Sequence, residues 1–106
     1  MKINDNTGEF ISQQEAVDFT HAYQTDNPTA LKAFFAGKEK IAALLAQSDC
    51  MGVRIYMGYD QKNETQNLVL VGVDGSGEDL CSGLLLERLA PCPSSCSQNS
   101  ILVVNN

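Results

Sequence analysis

The four cysteines are the residues of this chain best suited to do chemistry. Cys92 and Cys96 lie four positions apart in a Pro/Ser-rich segment, whereas Cys50 and Cys81 stand singly further upstream. Four thiolates can bind zinc tetrahedrally, but three residues between paired cysteines depart from the two-residue spacing common in zinc sites. In the competing interpretation Cys50 and Cys81 are small buried hydrophobes and the other two are free or opportunistically oxidised thiols.

A thiol-redox function for the same four cysteines has weaker support. Reactive pairs usually have the form Cys-x-x-Cys at a helix N-terminus, where the thiol pKa is depressed. The segment around Cys92 and Cys96 contains prolines and serines and predicts no helix. A zinc or thiol-redox protein using Cys50, Cys81, Cys92 and Cys96 therefore stays as the alternative hypothesis.

No other catalytic constellation is apparent. His21 is the single histidine and falls on the polar flank of a predicted helix, where a solvated side chain is the ordinary outcome. The chain has neither a Gly-x-Ser-x-Gly elbow nor a Gly-x-x-x-x-Gly-Lys phosphate loop. A non-enzymatic protein is favoured, although acid–base chemistry by carboxylates that meet only in the fold stays open.

The charge balance disfavours two classes of partner. Seven basic residues face thirteen acidic ones, and the net charge is −6 with no basic cluster. Nucleic acid and anionic membranes are therefore not expected as partners, and the apolar runs fall far short of the roughly 20 residues that span a bilayer. We expect a cytoplasmic protein, because residues 1–6 lack an apolar leader. In the cytosol cysteines are more often thiols or metal ligands than disulfides.

Two helices are predicted in the first half of the chain. The first spans 13–24 and begins with a capping box in which Ser12 and Glu15 bind free backbone N–H groups. Its predicted buried face comprises Ala16, Phe19, Thr20 and Tyr23. The second helix runs from about 38 to 47, after a short element at 31–35, and its predicted buried face comprises Ile41, Leu44 and Leu45.

Two strands follow and should pair as an antiparallel hairpin. Residues 67–73 are apolar on both faces, which predicts a central strand. In 51–60 the side chains alternate, and the face predicted to be buried comprises Met51, Val53, Ile55, Met57 and Tyr59. Arg54 and Tyr56 lie on the opposite face and form a candidate interaction surface, since both are typical interface anchors. Equally, a helix or the stem of Arg54 itself covers that face.

The C-terminal segment is the second candidate for assembly. An irregular Pro/Ser-rich stretch at 90–100 precedes four apolar residues, Ile101, Leu102, Val103 and Val104. Such a β-prone terminus can add a strand to its own sheet or to the sheet of a neighbouring chain. The predicted organisation is an arm at 1–8, one α+β domain at 9–89 and a tail at 90–106.

Several short patterns occur together along the chain. They are Ile11-Ser12 with Glu15-Ala16, Cys50-x-Gly52-x-Arg54-Ile55-Tyr56-x-Gly58, Leu68-Val69-Leu70-Val71-Gly72-Val73-Asp74, Gly77-x-Asp79-Leu80 and Cys92-Pro93-x-x-Cys96. Taken together, over residues 9–96, they resemble a group of small uncharacterised bacterial proteins. The resemblance implies a compact cytosolic α+β protein and carries no catalytic residue to this chain.

The sequence therefore predicts an α+β fold with two main helices on a small antiparallel sheet built around the hairpin 51–60 and 67–73. The favoured function is a small non-enzymatic module that binds another protein or a second copy of itself. Its candidate surfaces are Arg54 with Tyr56 and the segment 101–104. No cofactor is expected unless the four cysteines bind zinc.

Overall fold

The structure is a computed structural model that describes residues 2–104. Over this range it contains two helices and two small antiparallel sheets, which confirms the α+β class. The elements in chain order are α1 (Gln13–Asp26), β1 (Ala33–Phe35), α2 (Lys38–Leu45), β2 (Cys50–Asp60), β3 (Thr65–Asp74), β4 (Leu85–Leu86) and β5 (Ala90–Cys92).

The described chain divides into two compact units. Unit 1 contains residues 2–7 and 36–89, and unit 2 contains residues 8–35 and 90–104. The boundary after residue 35 groups α1 and β1 with the C-terminal segment, because β1 pairs with β5.

The predicted hairpin is confirmed and forms the frame of unit 1. β2 and β3 pair antiparallel from Asp60 opposite Thr65 down to Cys50 opposite Asp74, with one irregularity near residue 51. Asp60 stabilises the connection, since its carboxylate accepts hydrogen bonds from the backbone N–H of Lys62 (3.1 Å) and of Asn63 (3.2 Å). These bonds satisfy turn donors locally and fix the register of the hairpin.

The sheet of unit 1 has the order β2-β3-β4, so β3 is central as predicted. Its residues Leu70, Val71 and Val73 are buried together with Leu44 of α2. β4 contributes only two residues, which pair with Leu70 and Val71. On the other side β2 is an edge strand, and no strand within residues 2–104 pairs with its outer edge.

The prediction of a fully buried face on β2 is wrong for the second half of the strand. Met51 and Val53 are half-buried, whereas Ile55, Met57 and Tyr59 are exposed. The reason is length: the eight residues of α2 extend about 12 Å, while the eleven residues of β2 extend about 37 Å. One short helix therefore covers only part of the strand.

Leu45 is also a correction, because it is 48% exposed while its neighbour Leu44 is 1% exposed. The helix ends at Leu45 rather than at residue 47. The side chain of Gln47 turns back instead: its Nε2 donates to the Leu44 carbonyl (3.0 Å), and its Oε1 accepts from the Leu84 backbone N–H (3.0 Å).

Unit 2 is built on α1 and the two-stranded sheet. Ser12 caps α1 as predicted, since its hydroxyl accepts a hydrogen bond from the Glu15 backbone N–H (3.1 Å). The reciprocal bond to the Glu15 side chain that a capping box requires is not present among the described residues. Phe34 pairs with Pro91 in the β1–β5 sheet, so part of the segment expected to be irregular is a short strand. Pro91 is tolerated there because a two-stranded sheet consists of edges only.

Within residues 2–104, neither helix has the length and apolar character needed to cross a membrane.

Candidate functional site

Arg54, Tyr56 and Asp79 form a polar cluster on unit 1. Arg54 and Tyr56 are two positions apart on β2 and therefore share a face. Asp79 follows the turn after β3 and is positioned by a bridge to Val73. One carboxylate oxygen of Asp79 accepts a hydrogen bond from Arg54 Nη1, and the other accepts from the Tyr56 hydroxyl. Arg54 also donates to the Gly77 carbonyl at 3.4 Å.

The cluster shifts the pKa values of all three groups in consistent directions. The Tyr56 hydroxyl, followed by Arg54, lowers the pKa of Asp79. The Asp79 carboxylate in turn raises the pKa of Tyr56 and of Arg54 above their usual values. The arrangement thus fixes Asp79 as an anion between two donors.

Replacing Asp79 with asparagine should therefore change how the phenol titrates. Tyr56 loses its charged acceptor, so its pKa should fall towards its usual range and the alkaline part of the tyrosine absorbance titration should move to lower pH. Tyr56→Phe is the control, since it removes the same late-titrating group. Identical titration curves for the wild type and Asp79→Asn would contradict the cluster.

The pH dependence of stability follows from the same shifts. The folded-state pKa of Asp79 is lowered, so its contribution is present above the unfolded pKa of about 4 and is lost as pH falls through the folded value. The folded-state pKa of Tyr56 is raised, so its contribution is present below about pH 10 and is lost as pH rises through the folded value. The cluster therefore stabilises unit 1 across the neutral range.

Next to the cluster lies an exposed surface on β2, here called the β2 patch. It consists of Ile55 (53% exposed), Tyr56 (47%), Met57 (76%) and Tyr59 (62%). These side chains stand on the strand whose outer edge is unpaired in the described chain. An edge strand with free backbone groups and exposed apolar side chains is a template for pairing with another strand.

Gly58 interrupts the β2 patch for a steric reason. It pairs with Asn67 of β3, and a Cβ at position 58 would clash with Asn67 Oδ1. Asn67 donates through Nδ2 to Glu87 (2.9 Å), but its buried Oδ1 accepts no hydrogen bond in the described structure. Only glycine leaves room for this side chain, which occupies the space that a side chain at position 58 would take.

The structure brings two of the four candidate cysteines together. Cys92 and Cys96 form a disulfide with a Cα–Cα distance of 4.6 Å, so the preference for thiols or metal ligands is wrong for this pair. Cys50 is half-buried and donates to the Gly52 carbonyl, and Cys81 is exposed. The interpretation of both as buried hydrophobes is therefore also wrong.

A zinc site gains no support from this arrangement. Over residues 2–104 no group of three or more histidine, cysteine, aspartate or glutamate side chains is placed to hold a metal ion. The disulfide leaves two free thiols, Cys50 and Cys81. The expected cytoplasmic location stays a prediction.

The second assembly candidate, residues 101–104, does not form the expected strand. These residues form a turn and a bend, held by side chains of α1. His21 Nε2 contacts the Ile101 carbonyl at 2.9 Å, and Gln24 Nε2 donates to the Leu102 carbonyl at 3.0 Å. Gln24 Oε1 accepts from the Val104 backbone N–H at 2.7 Å. The physical reason is that backbone groups bonded to these side chains are not available to a strand ladder.

The same contacts correct the predicted buried face of α1. Phe19 and Tyr23 are 61% and 45% exposed, whereas Gln24 is only 6% exposed. His21, expected to be solvated, is half-buried. Ala16, Val17, Thr20 and His21 are half-buried beside Gln24. The inward face therefore keeps the predicted Ala16 and Thr20 and adds the polar residues His21 and Gln24, which a purely apolar pattern overlooks.

Comparisons with protein-family models, with curated proteins and with solved structures found no match for this chain. The resemblance to small uncharacterised bacterial proteins accordingly stays a prediction. The proposed function is drawn from the geometry of the chain itself.

Proposed function

We propose that the protein is a small non-enzymatic binding or self-assembling module and that the β2 patch is its contact surface. The observation that carries the proposal is the combination of a long unpaired edge with exposed apolar side chains on the same strand. Natural edge strands are usually short, charged or covered. β2 is eleven residues long and has only Arg54 and Asp60 as charged side chains.

The polar cluster supports the same function by keeping the strand rigid. Asp79 ties Arg54 and Tyr56 to the segment after β3, and the opposite edge of β2 is paired with β3 over its whole length. A preorganised strand loses less conformational entropy on binding than a flexible one. The half-exposed Tyr56 can contact a partner while its hydroxyl stays satisfied within the chain.

The experiment is sedimentation velocity of the full chain over a wide concentration range, with two matched lysine substitutions in unit 1. Met57→Lys places a charge in the centre of the β2 patch, whereas Leu45→Lys places one on an exposed apolar position of α2. We expect the wild type and Leu45→Lys to form a larger species with rising concentration, and Met57→Lys to lose at least tenfold in association constant. A tenfold loss corresponds to about 1.4 kcal/mol.

Equal association of the wild type and Met57→Lys would show that the β2 patch is not the contact surface. Circular dichroism of all three proteins provides the folding control, because both lysines replace side chains that are already exposed.

A further inference from the structure

We infer that the partner of β2 is the β2 strand of a second copy, paired antiparallel with Met57 on the twofold axis. The inference rests on the proposed function and adds to it the identity of the partner and the register. It is carried by the order of residues along β2, Cys-Met-Gly-Val-Arg-Ile-Tyr-Met-Gly-Tyr-Asp.

The twofold symmetry of a dimer restricts the registers in which two β2 strands can pair. Edge-to-edge antiparallel pairing of identical strands requires a twofold axis perpendicular to the sheet, because a symmetric dimer uses the same surface on both copies. Opposite residues then have side chains on the same face of the continuous sheet. Each register is therefore defined by the single residue that pairs with its own copy.

The two charges of β2 distinguish these registers. With Met57 at the centre, Arg54 lies opposite Asp60 of the second copy, and the two symmetric pairs join opposite charges. A centre at Arg54 or at Asp60 would place like charges opposite each other, which is destabilising. Centres at Ile55 and Tyr56 pair neither charge with an opposite one. Centres at Gly58 and Tyr59 place Arg54 opposite Lys62 and Glu64, which lie in the turn beyond the strand.

Neither charged side chain has to give up its hydrogen bonds within its own chain for this attraction. Arg54 remains bonded to Asp79, and Asp60 remains bonded to the turn at Lys62 and Asn63. Directly opposite side chains lie about 5 Å apart at Cβ, so the charges still attract across the strand pair at modest ionic strength.

The uncharged residues complement one another in the same register. Ile55 lies opposite Tyr59 of the second copy, and Met57 lies opposite Met57, so the most exposed apolar side chains of the β2 patch cover each other. On the other face Tyr56 lies opposite Gly58. An aromatic side chain across from a strand glycine is a stabilising combination.

The N-terminal segment borders the start of the paired stretch. Ile3, Asn4, Asp5 and Thr7 line one groove together with residues 51–55 of β2. The Met57-centred register uses residues 54–60, of which only Arg54 and Ile55 line this groove.

The test is symmetric cysteine crosslinking in the full chain with Cys50→Ser and Cys81→Ser, which removes both free thiols. In this background Met57→Cys should give a covalent dimer on mild oxidation, since two cysteines on the twofold axis meet within disulfide reach. Tyr59→Cys is the matched control. Its two copies would lie about 14 Å apart along the strands, so Tyr59→Cys alone should not crosslink, whereas a mixture of Ile55→Cys and Tyr59→Cys chains should.

Three other outcomes would each overturn the inference, and each has a different consequence for the proposed function. If the chain associates and Tyr59→Cys crosslinks more than Met57→Cys, the register is wrong while assembly through β2 stands. If the chain associates and none of these variants crosslinks, β2 does not pair with itself. A chain that stays monomeric up to millimolar concentration overturns both the inference and self-assembly, and it leaves binding of another protein as the proposed function.

Discussion

Replacing Leu44 with alanine is expected to destabilise unit 1 by about 2–5 kcal/mol, the usual range for truncating a fully buried leucine. Leu44 is 1% exposed, and it is the α2 residue buried with the central strand β3. The substitution removes apolar burial and leaves a cavity that a short helix is poorly able to close. Denaturant unfolding followed by circular dichroism measures the loss.

Leu45→Ala is the matched control for this prediction. It makes the same chemical change one position further along the same helix, where the side chain is 48% exposed. We expect a loss below about 1 kcal/mol, since exposed positions seldom contribute more. Equal losses at the two positions would contradict the orientation of α2 on the sheet.

The second large effect is expected at Gln24. Its amide satisfies both the Leu102 carbonyl and the Val104 backbone N–H, and the side chain is 6% exposed. Gln24→Ala removes both bonds and should cost about 1–3 kcal/mol while releasing the C-terminal segment. Carboxypeptidase digestion of the native protein should then remove residues beyond Ser100 much faster than in the wild type.

Gln13→Ala provides the comparison, because it makes the same substitution at an exposed position of the same helix. It should leave both the unfolding free energy and the digestion rate close to those of the wild type. Slow digestion of Gln24→Ala would show that residues 101–104 are held by other contacts.

The hairpin and the N-terminal cap of α1 could be predicted because short-range physics determines them. Alternation along 51–60 predicts a strand with one buried face, and the doubly apolar run at 67–73 predicts a central strand. Ser12 finds its donor at Glu15 three residues later. Such signals depend on neighbours in the chain, so they are present in the sequence.

Which faces of the strands and helices are buried depends on segments far away in the sequence, and this could not be predicted. Alternation indicated one buried face on β2, yet burial requires a covering element of sufficient length, and α2 is too short. In the same way Phe19 and Tyr23 of α1 are exposed while Gln24 is buried. There the C-terminal segment offers backbone polar groups to the helix, and these favour an amide over a ring.

The sequence identified two of the three residues of the candidate site. Arg54 and Tyr56 were identified by their types and their two-residue spacing, but their partner Asp79 is more than twenty positions away. In the sequence Asp79 stands out only as part of the Gly77-x-Asp79-Leu80 pattern. What links it to β2 is the bridge at Val73, a tertiary contact that follows from the path of the chain after β3.

Because of these differences, the proposed assembly surface is the outer edge of β2 and not the C-terminal segment 101–104. The apolar residues at 101–104 suggested strand addition, but their backbone groups are engaged by His21 and Gln24. The exposed apolar side chains of β2, expected to be buried, stand instead on an open edge. Backbone pairing at that edge can supply the affinity, and the side chains of the β2 patch can supply the specificity.

The most direct measurement is amide hydrogen exchange of the full chain at low and at high protein concentration. We expect exchange to slow with concentration at the outward-facing amides of residues 54–60 and to stay unchanged at residues 101–104. Slowing confined to 101–104, or unchanged exchange along β2 while the protein associates, would contradict the assignment of β2 as the contact surface.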